Sequence, residues 1–498
     1  MAQKELRKKY ISYRFRFWIG YGALLAALIG LLTFAVLRTP GGISATEEAS
    51  VLRSAALTIS NPESLLVADL PYHTLQKLSI SLLGLTPLSV KLPSAFIALA
   101  ASIGLVLLLR RWLQPRTSVI AGAIAITSTP FIFLAQQGTP AIMTIFWPVA
   151  IILFAMWGAQ QSKLRHIAPP ILAVMLGLSL YTPLMGYVVL ALGVGSILHP
   201  HVRYMIRRHV PRPVIGLSIL LATLTVLPLL YTIWKTPLTV SEMFIAGGNW
   251  HIDYLHNLTQ LGLRFGDILG SSIAQTGELA PYLTLATILM AGAGAFHLIK
   301  QYHSTQSYVL IAWLLLALPV AALNPQQPEI LFVPLMLLTG VGVAFILESW
   351  YKLFPSNPYA RAFALLPLAI LIGGIMITGA ARYFYLYHYN SGLASQSSHD
   401  LLLAHNELKN DDKKLIKFLV VSPQELPIYQ RYIGTNKLNV QLSTESDLNK
   451  LTTSDRVRIL ATKQSELVKS SRIPERVIAS RLMQSDSDRL YIYKNTVK

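Results

Sequence analysis

The chain has 498 residues, 53% of them hydrophobic and only 13% charged, with a formal net charge of +19 and a mean hydropathy of +0.50. Soluble domains carry about 25% charged residues, so a nucleic-acid reader, a coiled coil and a disordered scaffold are excluded, and nucleic acid is no partner. Apolar stretches near span length recur along most of the chain and define an all-α polytopic membrane protein with the lipid bilayer as its solvent. No cysteine is present, which removes disulfide and thiol chemistry.

Apolar windows predict eleven spans, near 17–37, 88–109, 117–135, 141–158, 167–182, 184–199, 213–233, 280–299, 307–323, 329–349 and 362–381. The first follows MAQKELRKKYISYRFR, with six cations against Glu5. It is too long for a removable signal peptide and has no cleavage site, so it reads as an anchor with its N-terminus inside. The turns then expected inside, 110–116, 160–166, 199–213, 300–306 and 350–361, hold twelve Lys and Arg residues, as the positive-inside rule demands. An odd number of spans leaves the C-terminus outside.

The first outer loop, 38–87, is more than a connector. Residues 46–59 predict a helix with Thr46 as N-cap and Glu47 and Glu48 in its first turn. Residues 71–85 predict a second helix, too short to span. Both are expected to lie at the membrane interface, apolar face down, a platform suited to a lipid-linked substrate. The second outer loop, 235–281, is aromatic and amphipathic and carries Arg264; Trp250, His251 and Tyr254 read as an interfacial belt. The third is the proline-bounded NPQQPE, 324–329. Eleven acids precede residue 383, nine of them on outer loops and none at mid-membrane, where ion and proton paths place them. This favours chemistry at the outer face over a proton-driven carrier.

Beyond the membrane domain, 1–382, the composition changes, with twelve acids and seventeen cations in the final 116 residues. KFLVVS, NVQLST, RVRILA and RLYIYK read as short strands with helical stretches between them, which predicts a small extracytoplasmic α/β domain over 383–498. It shows no phosphate loop or nucleophile motif, and the dispersed histidines predict no structural zinc site.

GGISATEEASVL and LPYHTLQKLSISLLGLTPLSVKLPSAF resemble the N-terminal third of the GT-C glycosyltransferases. Within them they look closest to the bacterial family-39 and protein O-mannosyltransferase-like branch, which includes the aminoarabinose transferases of lipid A. The likeness rests on Glu47-Glu48-Ala49, Leu70-Pro71-Tyr72-His73, Leu83-Gly84 and Lys91-Leu92-Pro93-Ser94, in the family's order over 43–111. Weaker likeness runs through AQQGTPAIMTIFW and NPQQPEILFVPLMLL. Two positions depart from the pattern. Glu47 stands where the family usually has Asp, and Gln136-Gln137-Gly138-Thr139 offers no acid where members often carry a second one.

The resemblance implies transfer of a sugar from a polyprenyl-phosphate donor to an envelope glycan, lipid or protein. A carboxylate would deprotonate the acceptor hydroxyl, and Glu47 is the expected base, with Glu48 as its partner or as a helix-dipole acid. Cations would hold the departing phosphate, with Arg53 and Lys77 ahead of Lys91 and Arg264. Asp69, Tyr72 and His73 complete the expected substrate contacts. No cofactor is read, and a divalent metal stays open. An inactive relative acting as an assembly or binding subunit is an alternative, favoured by the missing second acid. A lipid-linked sugar flippase is another, against which stands the lack of internal repeats.

Overall fold

The computed structural model describes residues 11–38, 42–58, 61–65, 67–159, 166–200, 202–204, 210–245, 253–266, 282–325, 327–353, 358–389, 397–409, 416–444, 457–469, 473–479 and 489–494. The expectations on Glu5 and the N-terminal cations up to Lys9, on Lys163, Arg165, Arg207, Arg208, Trp250 and His251, and on Asp267 and Glu278 lie outside these residues.

The helical part contains α1 (Ile11–Arg38), a short strand β1 (Ile43–Ser44), α2 (Ala45–Ala56), α3 (Leu70–Leu83), α4 (Pro87–Trp112), α5 (Pro115–Thr127), α6 (Thr129–Gln136), α7 (Met143–Ala159), α8 (Ala168–Ser179) and α9 (Met185–Leu198). It continues with α10 (Arg212–Lys235), α11 (Leu238–Phe244), α12 (Tyr254–Gly266), α13 (Leu285–Lys300), α14 (Thr305–Leu323), α15 (Phe332–Leu353) and α16 (Pro358–Tyr389). Among the described residues seven helices are long and apolar enough to cross a membrane, and α5 with α6 makes an eighth if the pair, bent by 60°, is one span. The apolar helices α8, α9 and α13 are shorter. Each of the eleven predicted segments falls on one of these helices or on the bent pair, and the chain is a multi-pass membrane protein.

The bend corrects the expectation of one straight span over 117–135. Pro130 has no N–H to continue the ladder of α5 and sits instead in the first turn of α6, and Ser128 between the two helices is extended at φ −67°, ψ 140°. The break is docked on α16: Thr129 Oγ1 donates to the Gly379 carbonyl at 2.8 Å. A Cβ at Gly379 would lie 2.6 Å from the Thr127 carbonyl oxygen, so glycine permits the close approach. The main core is built around Trp313, Phe131 and Phe332. By contrast, α10 leaves Ile219, Leu220, Leu224, Leu227, Leu230 and Trp234 exposed, a surface suited to lipid.

In the first outer loop the N-cap is Ser44, not Thr46. Ser44 Oγ accepts from the Glu47 N–H, and Glu47 Oε2 accepts from the Ser44 N–H at 2.8 Å, which makes a capping box. The interfacial placement fits α3, which leaves Leu75, Leu78, Leu82 and Leu83 exposed while His73, Gln76 and Ser79 are buried. It does not fit α2. Val51 of α2 packs instead with Ile80, Leu401, Leu419 and Tyr432 in a core shared with the C-terminal part of the chain.

That part holds β2 (Ser397–Ser398), α17 (Asp400–Lys409), β3 (Ile416–Val420), α18 (Leu426–Asn436), β4 (Val440–Ser443), β5 (Val457–Thr462), α19 (Glu466–Lys469), β6 (Arg476–Ala479) and β7 (Arg489–Lys494). A five-stranded sheet runs in the order β4-β3-β5-β7-β6. Strand β3 is parallel to β4 and β5, whereas β7 is antiparallel to β5 and β6. All four predicted strands are present, and β6 was not foreseen. The small pair β1–β2 ties the entry of α2 to this region.

Candidate active site

A cavity of about 570 Å³ opens at one end of the helix bundle. Every turn expected outside contributes to it: Arg53, Asp69 and His73 from the first outer loop, Gln137 and Thr139 after α6, Thr182 between α8 and α9, Arg264 from the second outer loop with Tyr282 just after it, and Glu329 from the third. No turn expected inside lines it among the described residues.

Asp69 is set by its backbone. It precedes α3 in the left-handed region, at φ 56°, and makes no capping hydrogen bond with its side chain. Asp is among the few non-glycine residues that tolerate this conformation, at a cost of about 1–3 kcal/mol. Its N–H donates to the Tyr181 carbonyl at 2.8 Å. Its side chain is 7% exposed and bonds to Thr182, while Oδ1 has no hydrogen-bond partner. Burial pushes the carboxyl up to about 7, opposed by the Thr182 hydrogen bond and the Arg53 charge.

One turn along α3, His73 has its tautomer fixed by a buried network. Gln76 Nε2 donates to the Gly138 carbonyl at 2.9 Å, so Gln76 Oε1 is the acceptor for Ser50 Oγ at 2.8 Å and Ser54 Oγ at 2.6 Å. Ser54 has then spent its proton and accepts from His73 Nδ1–H at 2.9 Å. The remaining His73 Nε2 is a bare acceptor, buried and without a hydrogen-bond partner. Burial, and after it the Arg53 charge, press His73 down to about 4, so it is neutral at pH 7.

The other expected residues go elsewhere. Glu47 is 2% exposed and does not line the cavity. Its carboxylate is held by Ser44 N–H, by Gly138 N–H at 2.6 Å and by Lys91 Nζ at 3.8 Å. Lys91, fully buried, also donates to Gln136 Oε1 at 3.2 Å. Tyr72 is buried with its hydroxyl 2.7 Å from Ser94 Oγ, and burial raises its phenol well above the ordinary range. Glu48 faces the C-terminal part: burial, then Glu425, then Glu47 push it up to about 7. Lys77 bonds the Leu57 carbonyl at the end of α2 and lines a different pocket.

Sequence reading passed over Thr182 and Glu329. Thr182 lay in Tyr181-Thr182-Pro183, legible only as a turn. Glu329 stood in NPQQPE, where its proline-bounded setting was the available signal. Among the described residues no group of three or more His, Cys, Asp or Glu could hold a metal ion.

An apolar groove of about 560 Å³ backs onto the cavity, lined by Leu70, Pro71, Phe96, Phe146, Trp147 and Tyr181 among others. The two spaces share a wall: Asp69, Thr144 and Thr182 face the cavity while their neighbours Leu70, Met143 and Tyr181 face the groove.

The polytopic bundle, with α3 at the interface, a polar chamber at one end and a small sheet region beyond, shares the GT-C fold of solved structures. The chain is similar over nearly its whole length to crystal structures of ArnT from Cupriavidus metallidurans. The apo form has 13% sequence identity and a TM-score of 0.53 and matches over 95% of this chain and 98% of that one. The form bound to undecaprenyl phosphate has 11% identity and a TM-score of 0.50 and matches over 97% and 98%. No family model and no curated protein matches the sequence.

Proposed function

We propose that this chain is a membrane glycosyltransferase that moves a sugar from a polyprenyl-phosphate donor to an acceptor at the outer face of the membrane. The observation that carries this reading is the shared wall at Asp69, with a chamber holding two carboxyls, an imidazole and two guanidinium groups on one side and an apolar groove on the other. A lipid-linked phosphate sugar has the same two halves. The similarity to ArnT bound to undecaprenyl phosphate supports that donor class. An outward-facing chamber agrees with the positive-inside rule, since the sequence segments expected on the other side carry twelve Lys and Arg residues.

In this reading Asp69 Oδ1 takes the proton of the acceptor hydroxyl as its oxygen attacks the anomeric carbon. A base with a pKa near 7 suits that task. His73 Nε2 accepts a hydrogen bond from a substrate hydroxyl and orients it. The bond from the anomeric carbon to the phosphate oxygen breaks, and Arg53 and Arg264 hold the phosphate as its charge grows. Glu47 acts as a positioning residue, fixing the start of α2 and the loop at Gly138.

The test is transfer in proteoliposomes with a panel of polyprenyl-phosphate sugars and envelope extract. Wild type should release polyprenyl phosphate from one donor, and Asp69→Asn should reduce turnover by roughly 10²–10⁴-fold while remaining folded. Full turnover in Asp69→Asn would remove Asp69 from the chemistry. A wild type inert towards every donor would favour the inactive-relative reading.

A further inference from the structure

A second pocket of about 270 Å³ lies where α2 and α3 meet α18, separate from the catalytic cavity. Lys77 and Arg431 line it with the hydroxyl-bearing Ser81 and Thr435, and none of its described lining residues is acidic. A Cβ on Gly434, also in the lining, would meet nothing within 4 Å, so the α18 side is open. Two cations facing hydroxyl groups around an acid-free hollow form a receptor for a phosphate group.

The pocket's position supplies the source of that phosphate. Ser81 is exposed on α3, next to the exposed Leu82 and Leu83, and Leu78 follows Lys77 directly. A pocket bordered by an interfacial helix with leucines towards lipid sits at headgroup depth, where phosphates and basic side chains meet. We infer that this pocket binds the phosphate of an anionic membrane lipid, with Lys77 and Arg431 as its ligands, and so pins the C-terminal sheet region to the interfacial helix α3. The site also adjoins catalysis through α2: Val51 and Ala55 face this pocket, while Thr46, Ser50 and Arg53 on the same helix face the cavity. The inference needs only the membrane setting, not the transfer reaction, and binding alone tests it.

The full chain in detergent would be titrated with short-chain phosphatidylglycerol, phosphatidylcholine or inorganic phosphate, with bound adducts counted by native mass spectrometry. Phosphatidylglycerol should give one saturable adduct that phosphatidylcholine does not. Arg431→Gln should weaken that adduct by about tenfold. Lys77→Gln should weaken it as well, but it also removes the bond to Leu57. The exposed Arg431 therefore gives the decisive variant. Equal binding of the two lipids, or an undiminished adduct in Arg431→Gln, would overturn the proposal. Saturable binding of inorganic phosphate without any lipid adduct would overturn the lipid source.

Discussion

The Glu47 carboxylate accepts a hydrogen bond from the Gly138 N–H at 2.6 Å, so the acid that leads the outer-loop motif is spent on fixing another loop. A Cβ on Gly138 would lie 2.6 Å from Val90 Cγ1, so glycine is needed for the loop to come this close. The Lys91 ammonium, fully buried, has this carboxylate as its ion-pair partner at 3.8 Å. Breaking one half of a buried pair costs about 3–5 kcal/mol, because the other charge is left uncompensated. Glu47→Gln should therefore lower the melting temperature markedly, and Lys91→Met added to it should recover part of the loss. Thermal melting in detergent checks both. A Glu47→Gln protein as stable as wild type yet inactive would return Glu47 to the chemistry.

Asp69 makes opposite demands on activity and stability. Its folded-state pKa, about 7, lies above the ordinary 3.8, so the protonated form is the one the fold favours. That contribution is complete below about pH 4 and is lost as pH rises to about 7. Asp69→Asn should consequently melt no lower than wild type at pH 8, with a gain on the order of 1–3 kcal/mol. With Asp69 as the proposed base, transfer by wild type should rise with pH through about 7 as its carboxyl loses the proton. Melting curves and a pH profile of kcat/KM report the two effects separately, and an Asp69→Asn protein that melts lower at pH 8 would contradict the buried, half-partnered carboxyl.

How far the sequence could be read follows from which signals are local. Apolar runs, proline turns and alternating strands are properties of neighbouring residues, so the spans and four strands could be placed in advance. The bend at Ser128 was also written locally, in Thr129-Pro130, but the apolar window ran straight across it. Ser44 and Thr46 are both good caps, and the choice between them depends on which hydroxyl meets the Glu47 N–H. The cavity was legible as a neighbourhood, but not which of the outer-loop acids would line it. Asp69 becomes a buried acid only when the Thr182 turn closes over it, and Glu47 is turned from the cavity lining towards Gly138 and Lys91. Contacts between residues so far apart in the chain leave no periodic mark. The four-residue β6 was likewise too short to show a pattern.

Glu48 gives the contact between α2 and the C-terminal region its own pH dependence. Burial raises its pKa to about 7, with the Glu425 charge next and Glu47 after it. The Glu425 carboxylate is itself fixed by the Ser422 N–H at 3.2 Å and the Thr462 hydroxyl at 2.7 Å. Since the folded pKa is raised from 4.5, stability should be lost as pH climbs from about 4.5 to about 7. Glu48→Gln should flatten that slope, and Glu425→Gln should flatten it in part. Melting temperature measured from pH 5 to 8 reads the difference. Parallel curves for wild type and Glu48→Gln would mean that Glu48 does not titrate in this window.

The last contact to test holds the end of α3 against α18. Asn436 Nδ2 donates to the Leu85 carbonyl at 3.1 Å, and Asn436 Oδ1 accepts from the Leu85 N–H at 3.0 Å, so one side chain copies a strand pairing. Gly84, just before, has φ +73°, and a Cβ there would run into Asn436 Oδ1. Gly84→Ala therefore meets two penalties: about 1–3 kcal/mol for a positive-φ, extended backbone that is essentially glycine's alone and the collision with Asn436. Asn436→Ala loses two hydrogen bonds, about 1 kcal/mol each. The double variant should cost less than the sum of the singles, because removing the Asn436 side chain also removes the collision. Limited proteolysis of the C-terminal region follows whether the two parts come apart. Strict additivity would mean that Gly84 and Asn436 do not meet, and that the sheet region is held to α3 by other contacts.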